Sequence, residues 1–318
     1  MVIHGCACGL YFYIMMQRHM RGNVTWVDLE APTAEELSIV MAEFGIDNRV
    51  EEEIARPTPY PLTLATPEYL YLILHFPTAE AQDGTKNQEV DFIVGKNFLI
   101  TARYEVIDSI HALHKTFEAE ELLDHPVETQ ADALLERVMT RLYAAIHDGI
   151  EREGRGLEKI ESAIFSGRER ETVRTISHTG RALLRFETAL NRHEEPLDEF
   201  LTNLGVSDFF GKRFTDRAAR IRAAHDHAAA LVSSYRAVLR ELRITNDSLL
   251  STSQNEVMKT LTIMAVAALP MTLVASIFGM NVNDMPLVHE PGGFVKVLVL
   301  MVSASFLVFL FFKLKRWF

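Results

Sequence analysis

Oxygen-bearing side chains stand close together near the C-terminal end of the sequence, in the segment SIFGMNVNDMPLVHEPGG, residues 276–293. They include the amide of Asn281 and the carboxylates of Asp284 and Glu290. Amide and carboxylate oxygens are the ligands that small, hard cations prefer. The chemistry open to this segment is therefore the attraction of a cation, and the elements on either side decide where that would happen.

Two long apolar runs flank the segment. The first, residues 261–280, has no charged residue, and the second, residues 294–312, has only Lys296, within its first turn. About 20 apolar residues cross a hydrocarbon core of about 30 Å, and buried core helices usually have apolar runs of only about 10–14 residues. A lysine near a helix end can extend its amino group to the interface. The sequence therefore predicts two transmembrane helices joined by an outer loop, residues 281–293.

The distribution of charge predicts the orientation of these helices. The tail, residues 313–318, carries three lysines and arginines, whereas the connecting loop is acidic and has none. Positively charged flanks stay on the cytoplasmic side. We therefore expect a multi-pass protein of the inner (cell) membrane, with the C-terminus and, after two crossings, the N-terminus in the cytoplasm.

The part of the chain before the stalk is strongly acidic. Residues 1–204 hold 19 lysines and arginines against 35 aspartates and glutamates, a net charge of −16, while residues 205–318 hold 13 against 8, a net charge of +5. Nucleic acids need a basic binding face, so we expect no nucleic-acid partner. The soluble part contains no glycine-rich phosphate loop, nucleophile elbow or HExxH motif, so we expect neither an enzyme nor a cofactor.

Residues 1–204 are predicted to form a cytoplasmic α/β domain with added helices. The segments TWVDLE, EYLYLILHF and EVDFIVGKNFLITARY are rich in β-branched and aromatic residues, which favours strands, and residues 95–97 provide a turn. Thr33 and Glu36 have the spacing of a helix capping box. We expect that helix to continue to about Phe44.

Helical spacing of apolar residues dominates the following regions. It extends over residues 130–165 and 172–193, whose helices we expect to cover one face of the sheet. Over residues 214–249 apolar residues recur at alternating steps of four and three, the spacing of a coiled-coil seam. Neither glycine nor proline interrupts this pattern before Pro270. The pattern predicts a stalk helix, residues 205–260, that continues into the first span and buries its seam by symmetric self-association.

The tripeptide Gly279-Met280-Asn281 stands at the outer end of the first predicted span. In its context, LPMTLVASIFGMNVNDMP, with two spans, a long preceding helix and a basic tail, it resembles the signature of the CorA family of divalent-cation (magnesium and cobalt) transporters. WVDLEAPT and VGKNFLITAR resemble the family's cytoplasmic domain, so the likeness covers nearly the whole chain. The resemblance implies a homopentameric funnel in the lipid bilayer, with a central pore for passive transport of Mg²⁺ above all, beside Co²⁺ and Ni²⁺.

Counting back along the long helix in steps of three and four gives one stripe of residues. The pore-lining positions of the family fall on the same residues: Asn255, Met258, Leu261, Ala265, Leu269 and Thr272. In this interpretation Asn255 and Thr272 offer polar oxygens, while Leu261 and Leu269 form hydrophobic constrictions that gate by dewetting. The alternative is that the stripe serves only to pack subunits together.

The residues after the stripe are interpreted as the site of ion entry. Mg²⁺ gives up its water reluctantly, so a ring of Asn281 amides, one from each subunit, would touch the hydrated ion in its outer sphere. Within the signature, Gly279 would keep the end of the helix narrow enough for a close approach. Asp284 and Glu290 would raise the local cation concentration. The alternatives are a helix cap for Asn281 and a solvated loop charge for Asp284.

Two positions depart from the pattern of the family. Leu287 stands where family members often carry an acidic residue after the Met-Pro pair. Arg220 stands where the family has a carboxylate that binds cytoplasmic Mg²⁺ between neighbouring subunits. Because an arginine cannot ligate a cation, we do not expect cytoplasmic Mg²⁺ to gate the pore at that position.

Histidines and cysteines leave alternatives open. His225 and His227 lie on the stalk, and imidazole suits Zn²⁺ better than Mg²⁺, so a Zn²⁺ transporter of the same superfamily is the first alternative function. A membrane-anchored sensor that does not transport ions is the second. Close to the N-terminus, His4, Cys6 and Cys8 could form a soft metal site.

Overall fold

The protein is described by a computed structural model that covers residues 16–77, 87–122, 130–280, 286–287 and 291–315. The chain divides into two compact units. The first comprises residues 1–163 and 173–242, and the second comprises residues 164–172 and 243–318.

A six-stranded mixed sheet lies in the first unit. Its strands are β1 Met16–Arg21, β2 Val24–Glu30, β3 Leu62–Ala65, β4 Tyr69–Phe76, β5 Gln88–Gly95 and β6 Phe98–Arg103. They lie in the order β1-β2-β6-β5-β4-β3, and every neighbouring pair is antiparallel except β2 and β6, which are parallel. The strands predicted from three segments correspond to β2, β4 and the hairpin of β5 and β6, whose turn joins Gly95 to Phe98.

The described part of the chain contains seven α-helices. They are α1 Ala34–Phe44, α2 Asn48–Ile54, α3 Asp108–Leu122, α4 Ala131–Phe165, α5 Glu169–Val206, α6 Phe214–Phe278 and α7 Gly293–Leu314. The predicted capping box of α1 is confirmed, because Thr33 Oγ1 accepts from the Glu36 amide at 3.2 Å and a Glu36 carboxylate oxygen accepts from the Thr33 amide at 2.8 Å. Gly45, with φ of 68°, ends the helix in the left-handed conformation that favours glycine.

Helices pack on both faces of the sheet. On one face α1 and α2 share a buried core with the strands, formed by Val27, Leu29, Leu37, Val40, Met41, Ile46, Val50, Ile54, Tyr69, Tyr71, Ile73, Ile93, Ile100 and Ala102. Side chains alternate along a strand, so Trp26 of β2 points to the other face. There it stacks on His114 of α3, with 4.2 Å between the ring centroids. The helix α3 and the short elements α2 and β3 were not predicted from the sequence.

The first half of α6 packs against α4 and α5 of its own chain. The seam residues Phe214, Ile221, His225, Ala228, Val232, Leu239 and Leu242 are all buried. Close approach depends on glycine: a Cβ on Gly154 of α4 would lie 2.3 Å from the ring of Tyr235, and one on Gly180 of α5 would lie 3.3 Å from Leu239. The prediction that self-association buries this seam is wrong for these residues, because α4 and α5 provide the apolar partner surface.

The second unit contains the C-terminal half of α6 and the whole of α7. Both helices are long and apolar enough to cross a membrane, and little of their apolar surface is buried within the chain. A core helix of a soluble protein would instead be covered by protein. The Ser305 hydroxyl of α7 donates to the Ala267 carbonyl of α6 at 2.9 Å, and Ile263 is buried. The remaining apolar surface needs a cover other than this part of the chain.

Candidate cation pathway

The predicted pore stripe lies on α6, within the second unit, and is exposed along its whole length. Its members are Asn255, Met258, Leu261, Ala265, Leu269 and Thr272, all of them exposed. The three large apolar members, Met258, Leu261 and Leu269, are 61%, 55% and 62% exposed. Apolar side chains exposed in such a row mark a surface that is covered by lipid or by another protein.

α7 packs against a different face of α6. The less exposed residues of this region recur in steps of three and four: Ile263, Val266, Ala267, Pro270, Val274 and Phe278. Residues at this spacing share one face of a helix. The stripe of sequence-predicted residues therefore lies on a face that α7 leaves open.

Polar groups on the stripe keep their capacity to accept hydrogen bonds. Thr272 Oγ1 donates its hydrogen to the Ala268 carbonyl at 3.1 Å. A hydroxyl has one donor and two acceptor lone pairs, so the oxygen of Thr272 can still accept from the water around a cation. The leucines at positions 261 and 269, two turns of helix apart, present only apolar surface between such groups.

The signature tripeptide begins directly after α6. The Gly279 amide donates to the Ala275 carbonyl at 2.9 Å, so the backbone still follows the last helical turn. A Cβ on Gly279 would lie 3.0 Å from the Ala275 carbonyl oxygen, which is closer than an ordinary van der Waals contact. Glycine therefore fits the compact end of this helix. The next residue, Met280, is 60% exposed.

The remaining residues of the predicted entry site lie outside the described residues. They are Asn281, Asp284 and Glu290. Their roles stay predictions, and so does the soft metal site at His4, Cys6 and Cys8, which also lies outside the described residues.

Two arginines of α6 bind acidic residues at the start of α4. Arg217 Nε lies 3.1 Å from Asp132 Oδ2, and Arg217 Nη1 and Arg220 Nη2 each lie 2.9 Å from Glu136 Oε2. The hydrogen bonds from Arg220, opposed by burial and joined by those from Arg217, hold the pKa of Glu136 below its ordinary value. The carboxylates that face position 220 are therefore neutralised by the chain's own arginines.

The stalk histidines do not form a joint site. His225 is buried, with Nε2 3.0 Å from the Leu190 carbonyl and Nδ1 2.9 Å from Asp226 Oδ1. His227 is exposed and stacks on His147 of α4, with 5.0 Å between the ring centroids. Residues two apart on a helix point in different directions. His147 itself was not singled out from the sequence.

A buried polar network that the sequence analysis did not predict lies on the α3 face of the sheet. Asp28 Oδ2 accepts from Arg103 Nη2 and from His114 Nε2, each at 2.9 Å, and Asp28 Oδ1 accepts from the Thr101 hydroxyl at 2.5 Å. Burial opposes the charge of Asp28, but the hydrogen bond from His114 and the charge of Arg103 outweigh it and hold the pKa of Asp28 below its ordinary value. The carboxylate is fully partnered, so the network serves the structure of the domain.

Comparison with known proteins shows which family and which relatives the chain matches. Residues 21–316 match the family described as CorA-like Mg²⁺ transporter protein. The magnesium transport protein CorA of Wolinella succinogenes is 24% identical over 321 aligned residues, which cover 94% of this chain and 92% of the relative. The cobalt/magnesium transport protein CorA of Thermotoga maritima is 24% identical over 300 aligned residues, which cover 92% of this chain and 83% of the relative.

A solved structure has the same fold. The complete structure of the CorA magnesium transporter from Methanocaldococcus jannaschii matches with a TM-score of 0.77 at 24% sequence identity, over 93% of this chain and 92% of that chain. The α/β domain, the long helix and the two apolar C-terminal helices are thus elements of one known architecture.

Proposed function

Because this chain belongs to the CorA-like Mg²⁺ transporter family, we propose that it carries Mg²⁺ passively across the inner membrane through a pore formed by five copies of the chain. Co²⁺ and Ni²⁺ are the other ions that we expect it to carry. Relatives named for magnesium and for cobalt and magnesium transport support this class of ion. The proposal includes spans at residues 261–280 and 294–312, with both termini in the cytoplasm.

The observation that carries the proposal is the open stripe on α6. The chain's own second apolar helix packs elsewhere on α6, against the face that contains Ile263 and Ala267. A symmetric ring of five copies would place the stripe around one axis and surround it with the remaining apolar surface. The Thr272 hydroxyl would then face the water of the pore. In hydrocarbon the same polar group would be unfavourable.

The chemistry of the stripe suits an ion that stays hydrated. Mg²⁺ holds its water shell strongly, and the stripe offers neutral oxygens at Asn255 and Thr272 in place of carboxylates that would displace that water. Narrow apolar rings at Leu261 and Leu269 would close the path when they lose water. Ion entry would begin at Asn281, assisted by the negative charges of Asp284 and Glu290.

Transport would follow the electrochemical gradient of the ion. A membrane potential that is negative inside favours the entry of cations by about 2.3 kcal/mol per elementary charge at 100 mV. For a divalent ion this driving force is doubled. The sequence carries no phosphate-binding loop that would couple transport to nucleotide hydrolysis.

We propose further that cytoplasmic Mg²⁺ does not gate this pore through position 220. Arg217 and Arg220 pair with Asp132 and Glu136 within one chain. A cation that bound there would have to displace two guanidinium groups. The guanidinium groups of Arg217 and Arg220 therefore supply the positive charge that a bound cation would otherwise bring to these carboxylates.

Uptake by the purified protein in liposomes tests this function. We expect an inside-negative potential to drive Mg²⁺ into liposomes that contain the wild-type chain and not into protein-free liposomes. Parallel measurements with Co²⁺, Ni²⁺ and Zn²⁺ give the ion preference. A clear preference for Zn²⁺ over Mg²⁺ would support the zinc alternative, and the absence of any ion flux would support a sensor that does not transport.

A further inference from the structure

Three potential metal ligands converge on the surface of α4, in the first unit. The side chains of His147, Asp148 and Glu151 offer ligand atoms that all lie within 4.8 Å of one another. His147 and Glu151 are half-buried, and Asp148 is exposed. Residues four apart or three apart on a helix are neighbours on its surface, so Glu151 lies beside both of the other two.

A second imidazole, from another helix, packs on the histidine of this cluster. His227 of α6 stacks on His147, with 5.0 Å between the ring centroids and 10° between the ring planes. One turn earlier on α4, Tyr143 packs edge-on against the ring of His225 of α6, with 5.5 Å between the centroids. This buried contact fixes α4 against α6 beside the cluster.

The four side chains are available for a ligand. Among the residues that the structure describes, no hydrogen bond or ion pair engages the imidazoles of His147 and His227 or the carboxylates of Asp148 and Glu151. Glu136, nearer the start of the same helix, is by contrast held by Arg217 and Arg220. Unpaired carboxylates beside imidazole nitrogens form a donor set that attracts a metal ion.

We propose that His147, Asp148, Glu151 and His227 bind one divalent ion of the borderline class, Zn²⁺, Co²⁺ or Ni²⁺. Two imidazole nitrogens and two carboxylate oxygens suit these ions, whereas Mg²⁺ prefers oxygen ligands and water. Zn²⁺ takes four such ligands at about 2.0–2.2 Å, which requires the side chains to draw closer by rotation. The exposed side chains of Asp148 and His227 are free to make that movement.

This site goes beyond the proposed transport function. The ion would remain bound and link α4 to α6 in the soluble part of the chain, at residues that do not belong to the pore stripe. An ion bound at this site would therefore report the level of a transition metal and would not itself pass through the pore. Its existence does not depend on whether the chain transports Mg²⁺.

Metal binding by the full-length chain in detergent tests the proposal. Co²⁺ held by imidazole and carboxylate ligands in a four-coordinate site absorbs visible light much more strongly than hydrated Co²⁺, so its spectrum separates this site from an outer-sphere contact in a pore. The variant His147→Ala/Glu151→Gln removes two ligands. We expect it to lose the Co²⁺ bands and to bind Zn²⁺ at least about 100-fold more weakly, since loss of even an outer partner of a metal ligand costs 10- to 100-fold.

A matched control changes an exposed histidine and an exposed glutamate on α5, as His178→Ala/Glu171→Gln, and should keep wild-type binding. The single variant His227→Ala, whose side chain is exposed, should weaken Zn²⁺ binding by about tenfold or more. Equal Zn²⁺ affinity in wild type and His147→Ala/Glu151→Gln, or a wild-type Co²⁺ spectrum that matches the hydrated ion, would overturn the proposal. Mg²⁺ uptake by the same variant should equal that of wild type, so this result is separate from the outcome for transport.

Discussion

Arg103 is the residue on which the buried network of the sheet depends. Its side chain is 2% exposed and binds Asp28 at 2.9 Å and Glu30 at 2.6 Å. Arg103→Met would leave the buried Asp28 carboxylate without the positive charge of Arg103. We expect the free energy of unfolding to fall by about 3–5 kcal/mol, as measured by chemical unfolding of the full-length chain in detergent.

Arg18→Met is the control for this change. Arg18 pairs with Glu43 at the surface, where both side chains are partly exposed. Surface ion pairs contribute about 0–1 kcal/mol, so this variant should unfold almost as wild type does. Equal losses in the two variants would mean that burial does not distinguish the two arginines.

His193 makes the stability of the first unit depend on pH. Its Nε2 donates to the His75 carbonyl at 3.0 Å, and burial lowers the pKa of His193 to about 3. An unfolded histidine titrates near 6.5. The stability that neutral His193 provides is therefore present above pH of about 6.5 and is lost as the pH falls towards 3, by about 1.4 kcal/mol per pH unit.

The variant His193→Gln removes this titration. Between pH 6 and pH 5, which lie in the window above, its unfolding free energy should fall less steeply than that of wild type. His178→Gln, at an exposed position on α5, should leave the slope unchanged. If His193→Gln kept the wild-type slope, histidine 193 would not be the group that titrates.

The contrast between Thr33 and Asp28 shows which residue roles could be predicted. The Thr33 cap joins residues three apart in sequence, so local spacing was enough to predict it. Asp28 meets His114 across 86 positions of sequence. Such a pair depends on how the strands and α3 pack, and the only local signal was a carboxylate within an apolar strand.

Among the elements, α6 is the helix proposed to line the pore. A substitution at Leu269 tests which face of α6 does so. If Leu269 belongs to a hydrophobic constriction, Leu269→Ser should let water enter the ring and raise the leak of cations into liposomes. Leu307→Ser on α7 is a close control, because Leu269 and Leu307 are 62% and 64% exposed in the chain. The leak of Leu307→Ser should match that of wild type. Equal leaks in the two variants would show that the stripe does not lie on the side of α6 that lines the pore.

The seam of α6 shows why its packing was predicted only in part. Apolar spacing correctly indicated that Phe214, Ile221 and Val232 are buried. Spacing identifies the face that is covered and not the surface that covers it. α4 and α5 were both expected from their own spacing, but nothing in a one-dimensional pattern assigns them to this seam. The elements α2, β3 and α3 were missed because each has weaker periodicity or lies beside prolines.

At the level of the whole molecule, the proposal requires five copies of the chain. Native mass spectrometry of the detergent-solubilised protein should give the mass of five chains, and amine crosslinking should give a ladder that ends at five bands. A mass of two chains, with a ladder that ends at two, would contradict a shared pore.

The architecture of the single chain could be predicted more completely than the number of chains in the assembly. Apolar length, basic tail and signature together indicated two spans after a long helix, and the family match agrees. Subunit number is a property of surfaces that meet only in the assembled protein. The patterns within one chain therefore do not indicate the number of subunits, which was expected only from the resemblance to the CorA family.

Mg²⁺ uptake by Asn281→Ala tests whether the Asn281 amide is the contact for the entering ion. The measurement compares the rate of Mg²⁺ entry into liposomes that hold equal amounts of wild-type or variant protein, at the same inside-negative potential. We expect the variant to lose uptake while its assembly and unfolding temperature stay nearly unchanged, because loss of a helix cap costs only about 0.5–2 kcal/mol. Uptake at the wild-type rate, with the same preference among Mg²⁺, Co²⁺, Ni²⁺ and Zn²⁺, would show that Asn281 is a structural cap and would contradict the proposed ion contact.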